Sequence, residues 1–112
     1  GNHDGFPDCA YLKAGFDVVV RDCTIELFGR LLRLSHYPRR RSWWHRTFNK
    51  YGRKTKYVDR RPPMDGLVLL HGHTHSKEQF SVRDRSIHVG CDAHDYRPVS
   101  PDHLQRLLTK LD

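Results

Sequence analysis

The sequence predicts an α/β fold. Short runs rich in Val, Ile, Leu and Phe alternate with turn residues, which is typical of β-strands. One compact apolar run, residues 66–70, is typical of a buried strand. The chain ends in a segment with the apolar spacing of an amphipathic helix. Its 112 residues are enough for one small domain and not for two.

The first third of the chain is predicted to hold a loop, a short helix and three strands. Gly, Asn, Asp and Pro mark the loop, and the strands are rich in Val, Ile, Leu and Phe. In chain order we expect a loop over residues 1–7, a helix over residues 8–14, and strands over residues 16–20, 23–28 and 31–34. Gly29 separates the last two strands, and the third strand leads directly into His36.

The second half is predicted to hold a buried strand, a hairpin and a helix. The strand over residues 66–70 leads into His71-Gly72-His73-Thr74-His75. Residues 79–83 and 86–90 form the hairpin, which turns at Asp84-Arg85. Ser100 or Asp102 caps the final helix, and Pro101 suits its first turn. Its apolar stripe consists of Leu104, Leu107, Leu108 and Leu111.

Composition favours a cytoplasmic protein with anionic partners. The net charge is +7, which favours phosphate, nucleotide or nucleic acid. Cys9, Cys23 and Cys91 match no zinc or disulfide framework, so we expect reduced thiols, with Cys9 or Cys23 as a metal ligand the alternative. The sequence contains neither an apolar run of about 18 residues for a membrane span nor a signal-peptide core. The expected location is therefore the cytoplasm, with no membrane partner.

Residues 37–61 form a basic segment rich in aromatic residues. They contain ten Lys or Arg residues against one acid, Asp59. Three interpretations stay open: a solvated loop, an insertion that contacts phosphate or nucleotide, and a nucleic-acid-binding element. Arg suits phosphate oxygens, and aromatic rings suit stacking on bases. The aromatic residues interleaved with the charges are Trp43, Trp44, Phe48, Tyr51 and Tyr57.

Three clusters of ligand-type side chains stand where a strand meets a loop. Open α/β sheets place their sites at the carboxyl ends of strands, so these clusters are expected to converge. Neutral imidazole is a common metal ligand, and an Asn side chain offers an oxygen to a hard or borderline cation. A carboxylate beside a His orients its ring for general acid work. The clusters are Asn2-His3-Asp4, His36, and His73 with His75.

The three motifs occur in the order Gly-Asn-His-Asp, an isolated His, and Gly-His-Thr-His. In this order they resemble the motifs of the calcineurin-like metallophosphoesterase family. The resemblance implies a two-metal phosphoester hydrolase, acting on phosphomonoesters or phosphodiesters with Mn, Fe, Zn or similar divalent ions. It implies that Asn2, His36 and His73 bind the second ion and that His75 binds the first. It also implies that His3 protonates the leaving group and that Asp4 orients His3.

The chain departs from the family at its beginning. Family members carry Asp-x-His and then Gly-Asp upstream of Gly-Asn-His, and nothing precedes Gly1 here. Residues 1–112 are therefore expected to be a partial domain, the C-terminal half of a four-layer α/β/β/α sandwich. The other half is expected in cis or in trans, and the isolated chain is expected to be inactive or very weakly active. The alternative is a nucleic-acid-binding or catalytically inactive remnant that uses the basic segment.

Overall fold

Five strands pair into one mixed sheet in the computed structural model, which describes residues 3–39 and 58–112. The strand order is β1-β2-β3-β5-β4. The inner pairs β2–β3 and β3–β5 are parallel, whereas the outer pairs β1–β2 and β4–β5 are antiparallel. The elements are α1 (Asp8–Lys13), β1 (Asp22–Leu27), β2 (Arg30–Ser35), β3 (Val68–His71), β4 (Phe80–Ser81), β5 (Ser86–His88) and α2 (Pro101–Thr109). This arrangement confirms the predicted α/β class.

A tight hairpin joins β1 to β2 at Gly29, the residue that was predicted to separate these two strands. Leu27 pairs with Arg30, so the loop is only two residues long. Both loop residues have positive φ, 54° at Phe28 and 70° at Gly29. Two positive φ values are the signature of a type I′ turn, whose twist matches that of the flanking strands. The strands around it are close to the predicted ranges.

One face of the sheet packs against α2 to form the core. The inward residues of the strands alternate with residues on the other face, as a period of two requires. The helix begins as predicted: the Ser100 side chain accepts a hydrogen bond from the His103 backbone N–H at 3.2 Å, and Pro101 is the first helical residue. The core cluster comprises Leu32, Val68, Leu70 and Ile87 from the sheet, and Leu104, Leu107, Leu108 and Leu111 from the C-terminal segment.

An ion pair between the buried Arg39 and the more exposed Asp65 ties the chain after β2 to the chain before β3. Arg39 is 2% exposed and donates to Asp65 Oδ1 at 2.8 Å, as well as to the backbone carbonyls of Pro63 and Leu67. Burial opposes ionisation of Asp65, but hydrogen bonds from Arg39 and Arg33 outweigh it and lower the pKa of Asp65. This contact links the beginning and the end of the crossover between the parallel strands β2 and β3.

The prediction of a strand over residues 16–20 is wrong. These residues lie in irregular backbone, and β1, the edge strand of the sheet, begins only at Asp22. Val18 and Val20 are 67% and 54% exposed. Their β-branched side chains favour extended backbone, but a strand needs a hydrogen-bonded partner, and within the described residues the sheet ends at β1.

The three cysteines are not paired with one another. Cys9 and Cys91 are exposed, Cys23 is half-buried, and all three are free thiols. Among residues 3–39 and 58–112, no helix combines the length and the apolar character that crossing a membrane requires.

Candidate metal centre

The candidate site lies along the edge where three adjacent parallel strands end. β2, β3 and β5 run in the same direction, so their carboxyl ends lie side by side. Backbone hydrogen bonds continue beyond the strands: Gly72 N–H donates to His36 O at 3.2 Å, and Val89 N–H donates to His71 O at 2.8 Å. The loops that follow the three strands are thereby held next to one another, as expected for open α/β sheets.

Two of the predicted ligands, His36 and His73, are in direct contact. His36 Nε2 lies 3.1 Å from His73 Nδ1, and the two rings meet edge to face with centroids 5.0 Å apart. Tyr37 packs against both, with its ring centroid 5.0 Å from that of His36 and 4.8 Å from that of His73. Residues 37 positions apart thus converge because β2 and β3 are parallel neighbours.

The backbone at His73 is bent into an unfavourable conformation. His73 has φ of 64°, and Thr74 N–H donates to Gly72 O at 2.7 Å, which closes a three-residue turn. A turn of this kind with positive φ at its centre is rare and strained, and a non-glycine residue there costs about 1–3 kcal/mol. The bend directs the chain so that the His73 ring meets His36. Such strain is concentrated at ligand and active sites.

Both rings in this contact favour the neutral state. Burial lowers the pKa of His36, and the positive charges of His73 and His3 lower it further. Burial also lowers the pKa of His73, with further contributions from Arg61, His75 and His3. A metal ion requires a neutral imidazole with a free lone pair, so these shifts favour ligation at neutral pH.

His75 points to a different partner. Its Nδ1 lies 3.1 Å from Oδ2 of Asp92, and its side chain is 84% exposed. Asp92 belongs to a short 3-10 turn, Cys91–Ala93, in the loop after β5. The two histidines of the His-x-His motif therefore face different sides: His73 meets the loop after β2, and His75 meets the loop after β5.

Two further contacts join the loops after β3 and β5. Gln79 Nε2 donates to Ala93 O at 3.0 Å. Lys77 Nζ lies 4.9 Å from the centroid of the Tyr96 ring, within the range of a cation–π interaction. These contacts lie beside the His75–Asp92 pair, so the loops after β3 and β5 are in contact at three points.

The contact between His36 and His73 has dimensions that suit one divalent ion. Two nitrogens bound to an ion at about 2.1 Å each, with an angle of about 90–110° between them, lie about 3.0–3.4 Å apart. The observed 3.1 Å falls in this range. In residues 3–39 and 58–112, no three His, Cys, Asp or Glu side chains form a group that could hold a metal ion. The described residues thus fit part of a ligand set.

The remaining predicted residues come from the start of the chain. His3 is exposed, and its charge acts on both His36 and His73, so it lies in the same neighbourhood. Asp4 and His36 both line a cleft of about 820 Å³. Asn2 lies outside the described residues. The structure therefore joins His36 to His73, brings the charge of His3 within reach of both, and places Asp4 on the wall of a cleft that His36 also lines.

Two residues of the site were not found from the sequence. Tyr37, which is 7% exposed, packs on both contacting histidines. Asp92 contacts His75. Asp92 follows a parallel strand, as His36 and His73 do, so the same rule of polar residues after strands applies to it. The sequence predicted residues 86–90 as a hairpin strand, and the parallel pairing of β5 with β3 is visible only in the structure.

The basic segment lies largely outside the described residues, which omit residues 40–57. The described part, however, includes two buried side chains. Tyr37 is 7% exposed and Arg39 is 2% exposed. Arg39 therefore stabilises the crossover and does not face solvent, so the number of exposed positive charges in the segment is smaller than the sequence alone indicates.

Comparison with known proteins adds one relative and no family. No protein-family model matches the chain, and no solved structure matches it. The Gene 66 protein of Mycobacterium phage D29 is 41% identical over 51 residues, which are 43% of this chain and 25% of that protein. The matched region is thus a quarter of the relative, whose name describes no activity.

Proposed function

We propose that this chain contributes to a metal-dependent phosphoester hydrolase with a two-metal site, acting on phosphomonoesters or phosphodiesters. The supporting observation is the contact between His36 Nε2 and His73 Nδ1 at the ends of two adjacent parallel strands, with a separation of 3.1 Å. In this proposal the mixed sheet and its helices are the C-terminal half of a four-layer α/β/β/α sandwich.

Each histidine of the site has a proposed role. His36 and His73 hold the second ion together with Asn2, and His75 contributes to the first. When bound, a pair of divalent ions supplies Lewis acidity toward the phosphoryl group and activates water as the nucleophile. The lowered pKa of His36 and of His73 supports their proposed role as metal ligands, because a neutral ring is the form that binds an ion.

His3 is the proposed general acid. It is exposed, and its charge reaches both His36 and His73, so a group bound near these rings is also near His3. Protonation of the leaving oxygen by His3 would complete the cleavage of the ester bond. Asp4, on the wall of the cleft that His36 also lines, is the proposed residue that orients His3.

The remaining ligands of the first ion are proposed to come from a segment outside these 112 residues. The family resemblance calls for an Asp-x-His motif and then a Gly-Asp motif upstream of Gly-Asn-His, and residues 1–112 begin at Gly-Asn-His. The segment that carries them would act in cis or in trans. Activity is consequently proposed for the complete protein, and metal binding through His36 and His73 for this chain.

Metal titration of the 112-residue chain tests the proposal directly. We expect Mn²⁺ or Zn²⁺ to bind, as measured by isothermal titration calorimetry, and His36→Ala and His73→Ala each to weaken binding at least about tenfold. His103→Ala is the matched control, because His103 lies on α2 and packs against His94. Equal affinity in all four proteins would contradict the assignment of the ligands.

A second assay separates the proposal from the nucleic-acid alternative. A phosphoesterase hydrolyses bis(p-nitrophenyl) phosphate or p-nitrophenyl phosphate only with metal, in the complete protein. A nucleic-acid-binding remnant would bind DNA or RNA without metal, and its affinity would fall steeply with salt. Metal-free, salt-sensitive binding without any metal affinity would favour the alternative.

A further inference from the structure

We propose that Asp92 is a positioning residue that fixes the tautomer of His75 and thereby makes Nε2 the atom that His75 presents to a ligand. The tautomer follows from the structure of this chain alone. Its use for an ion rests on the proposed function. The contact that carries the inference joins His75 Nδ1 to Asp92 Oδ2 at 3.1 Å.

The chemistry of the contact determines where the proton lies. An ionised carboxylate only accepts hydrogen bonds, so His75 Nδ1 must carry the hydrogen when it bonds to Asp92. In the neutral ring, Nε2 then keeps its lone pair. Free histidine in water favours the opposite tautomer, with the hydrogen on Nε2, so Asp92 reverses the intrinsic preference. An imidazole held by a carboxylate in this way is also a stronger base toward an ion.

The loop around Asp92 is held in place by its own backbone and by its neighbour. The backbone N–H groups of His94 and Tyr96 donate to Cys91 O at 3.0 and 2.9 Å. Gln79 Nε2 reaches across from the loop after β3 to Ala93 O at 3.0 Å. Asp92 thus sits between anchored residues, on a loop fastened to the one that carries His75, and these bonds do not depend on its carboxylate.

The two histidines of the motif would then use different atoms. His73 directs Nδ1 toward His36, whereas His75 uses Nδ1 for Asp92 and leaves Nε2 for a ligand. Opposite nitrogens let two rings only two residues apart serve different ions. The contact contributes little to stability, because His75 is 84% exposed and water screens such pairs. A variant at Asp92 should therefore fold normally.

The test is the tautomer of His75 in the metal-free chain. Long-range ¹H–¹⁵N spectra at about pH 8, where histidine is neutral, distinguish a protonated Nδ1 from a protonated Nε2. We expect the Nδ1–H form in the wild type and a shift to the Nε2–H form in Asp92→Ala. Asp92→Asn keeps an oxygen acceptor and should largely restore the wild-type pattern. Asp102→Ala, at an exposed position on α2, is the control and should change nothing.

An unchanged His75 tautomer in Asp92→Ala would overturn the inference. In the complete protein, Asp92→Ala should also lower metal affinity about 10- to 100-fold, with partial recovery in Asp92→Asn. A loss of affinity without a change of tautomer would likewise overturn it. A changed tautomer in a protein that binds no metal would support the positioning role and contradict only the proposed function, so the two failures can be told apart.

Discussion

Two regions of the molecule contain similar apolar residues but bury them to different extents. The regions are the sheet with α2 and the N-terminal segment, residues 3–21. The leucines of α2 are almost fully buried, with Leu107 and Leu108 at 1% and 2% exposure. By contrast α1 buries none of its residues. The large apolar side chains of the N-terminal segment that are exposed are Phe6 at 72%, Leu12 at 48%, Phe16 at 61%, Val18 at 67% and Val20 at 54%.

This difference bears on the candidate site, which draws on both regions. His36 and His73 stand on the edge of the packed sheet, where backbone hydrogen bonds hold their loops. His3 and Asp4 come from the segment with the exposed apolar surface. The proposed ligands are therefore better supported by packing than the proposed acid. Catalytic geometry needs rigid support, so the N-terminal segment is the weaker part of the site.

The largest expected difference in stability is between two leucine substitutions, one in each region. Leu107→Ala should lower the free energy of unfolding by about 2–5 kcal/mol, because it empties a fully buried position. The matched change Leu12→Ala, at a side chain 48% exposed in α1, should cost less than about 1 kcal/mol. Urea denaturation followed by circular dichroism measures both. Equal losses would remove the distinction between the two regions.

The ion pair between Arg39 and Asp65 should show the next largest effect. Asp65→Ala leaves the Arg39 guanidinium, which is 2% exposed, without its carboxylate, and we expect a loss of about 2–3 kcal/mol. The exposed pair between Arg30 and Asp112 is the control, and Asp112→Ala should leave the urea midpoint unchanged. If both variants unfold at the wild-type midpoint, the crossover is held by other contacts.

A smaller effect concerns pH and the buried His88. Burial lowers the pKa of His88 below its ordinary value, with a further contribution from His94 and opposing contributions from Asp92 and from backbone contacts at Glu78 and Ser76. The unfolded chain therefore binds a proton more readily than the folded chain, so stability is present above about pH 6.5 and is lost as pH falls below it.

The slope from this single group is at most about 1.4 kcal/mol per pH unit. Urea midpoints at several values between about pH 7 and pH 5 measure it. His88→Gln removes the titrating group and should flatten the curve by that share. A wild-type curve that is already flat over this range would show that His88 titrates alike in the folded and unfolded chain.

The smallest expected change in stability is at Phe16. Phe16→Ser should alter the free energy of unfolding by no more than about 0.5 kcal/mol, since the side chain is 61% exposed. It should nevertheless reduce the fluorescence of bound anilinonaphthalene sulfonate, because it removes part of an exposed apolar surface. Phe80→Ser, at a half-buried core position, should by contrast destabilise the protein. Unchanged dye binding in Phe16→Ser would mean that the exposed surface lies elsewhere.

The sequence by itself determined the local elements. The cap at Ser100, the proline after it and the spacing of four leucines define α2 through interactions within about one or two helical turns. Gly29 marks the turn between β1 and β2, where positive φ is required. The sequence also predicted that His36 and His73 follow strands, because each comes soon after an apolar run.

Only the tertiary structure decided which of these elements meet. Strand pairing between distant residues made β2 and β3 parallel neighbours, and this brought His36 to His73. The same pairing left residues 16–20 without a partner, although their side chains favour extended backbone. It buried Arg39, which composition alone places among solvent-facing charges, and joined His75 to Asp92. Local signals report what a segment favours, whereas hydrogen bonds and burial between distant segments decide what it contacts.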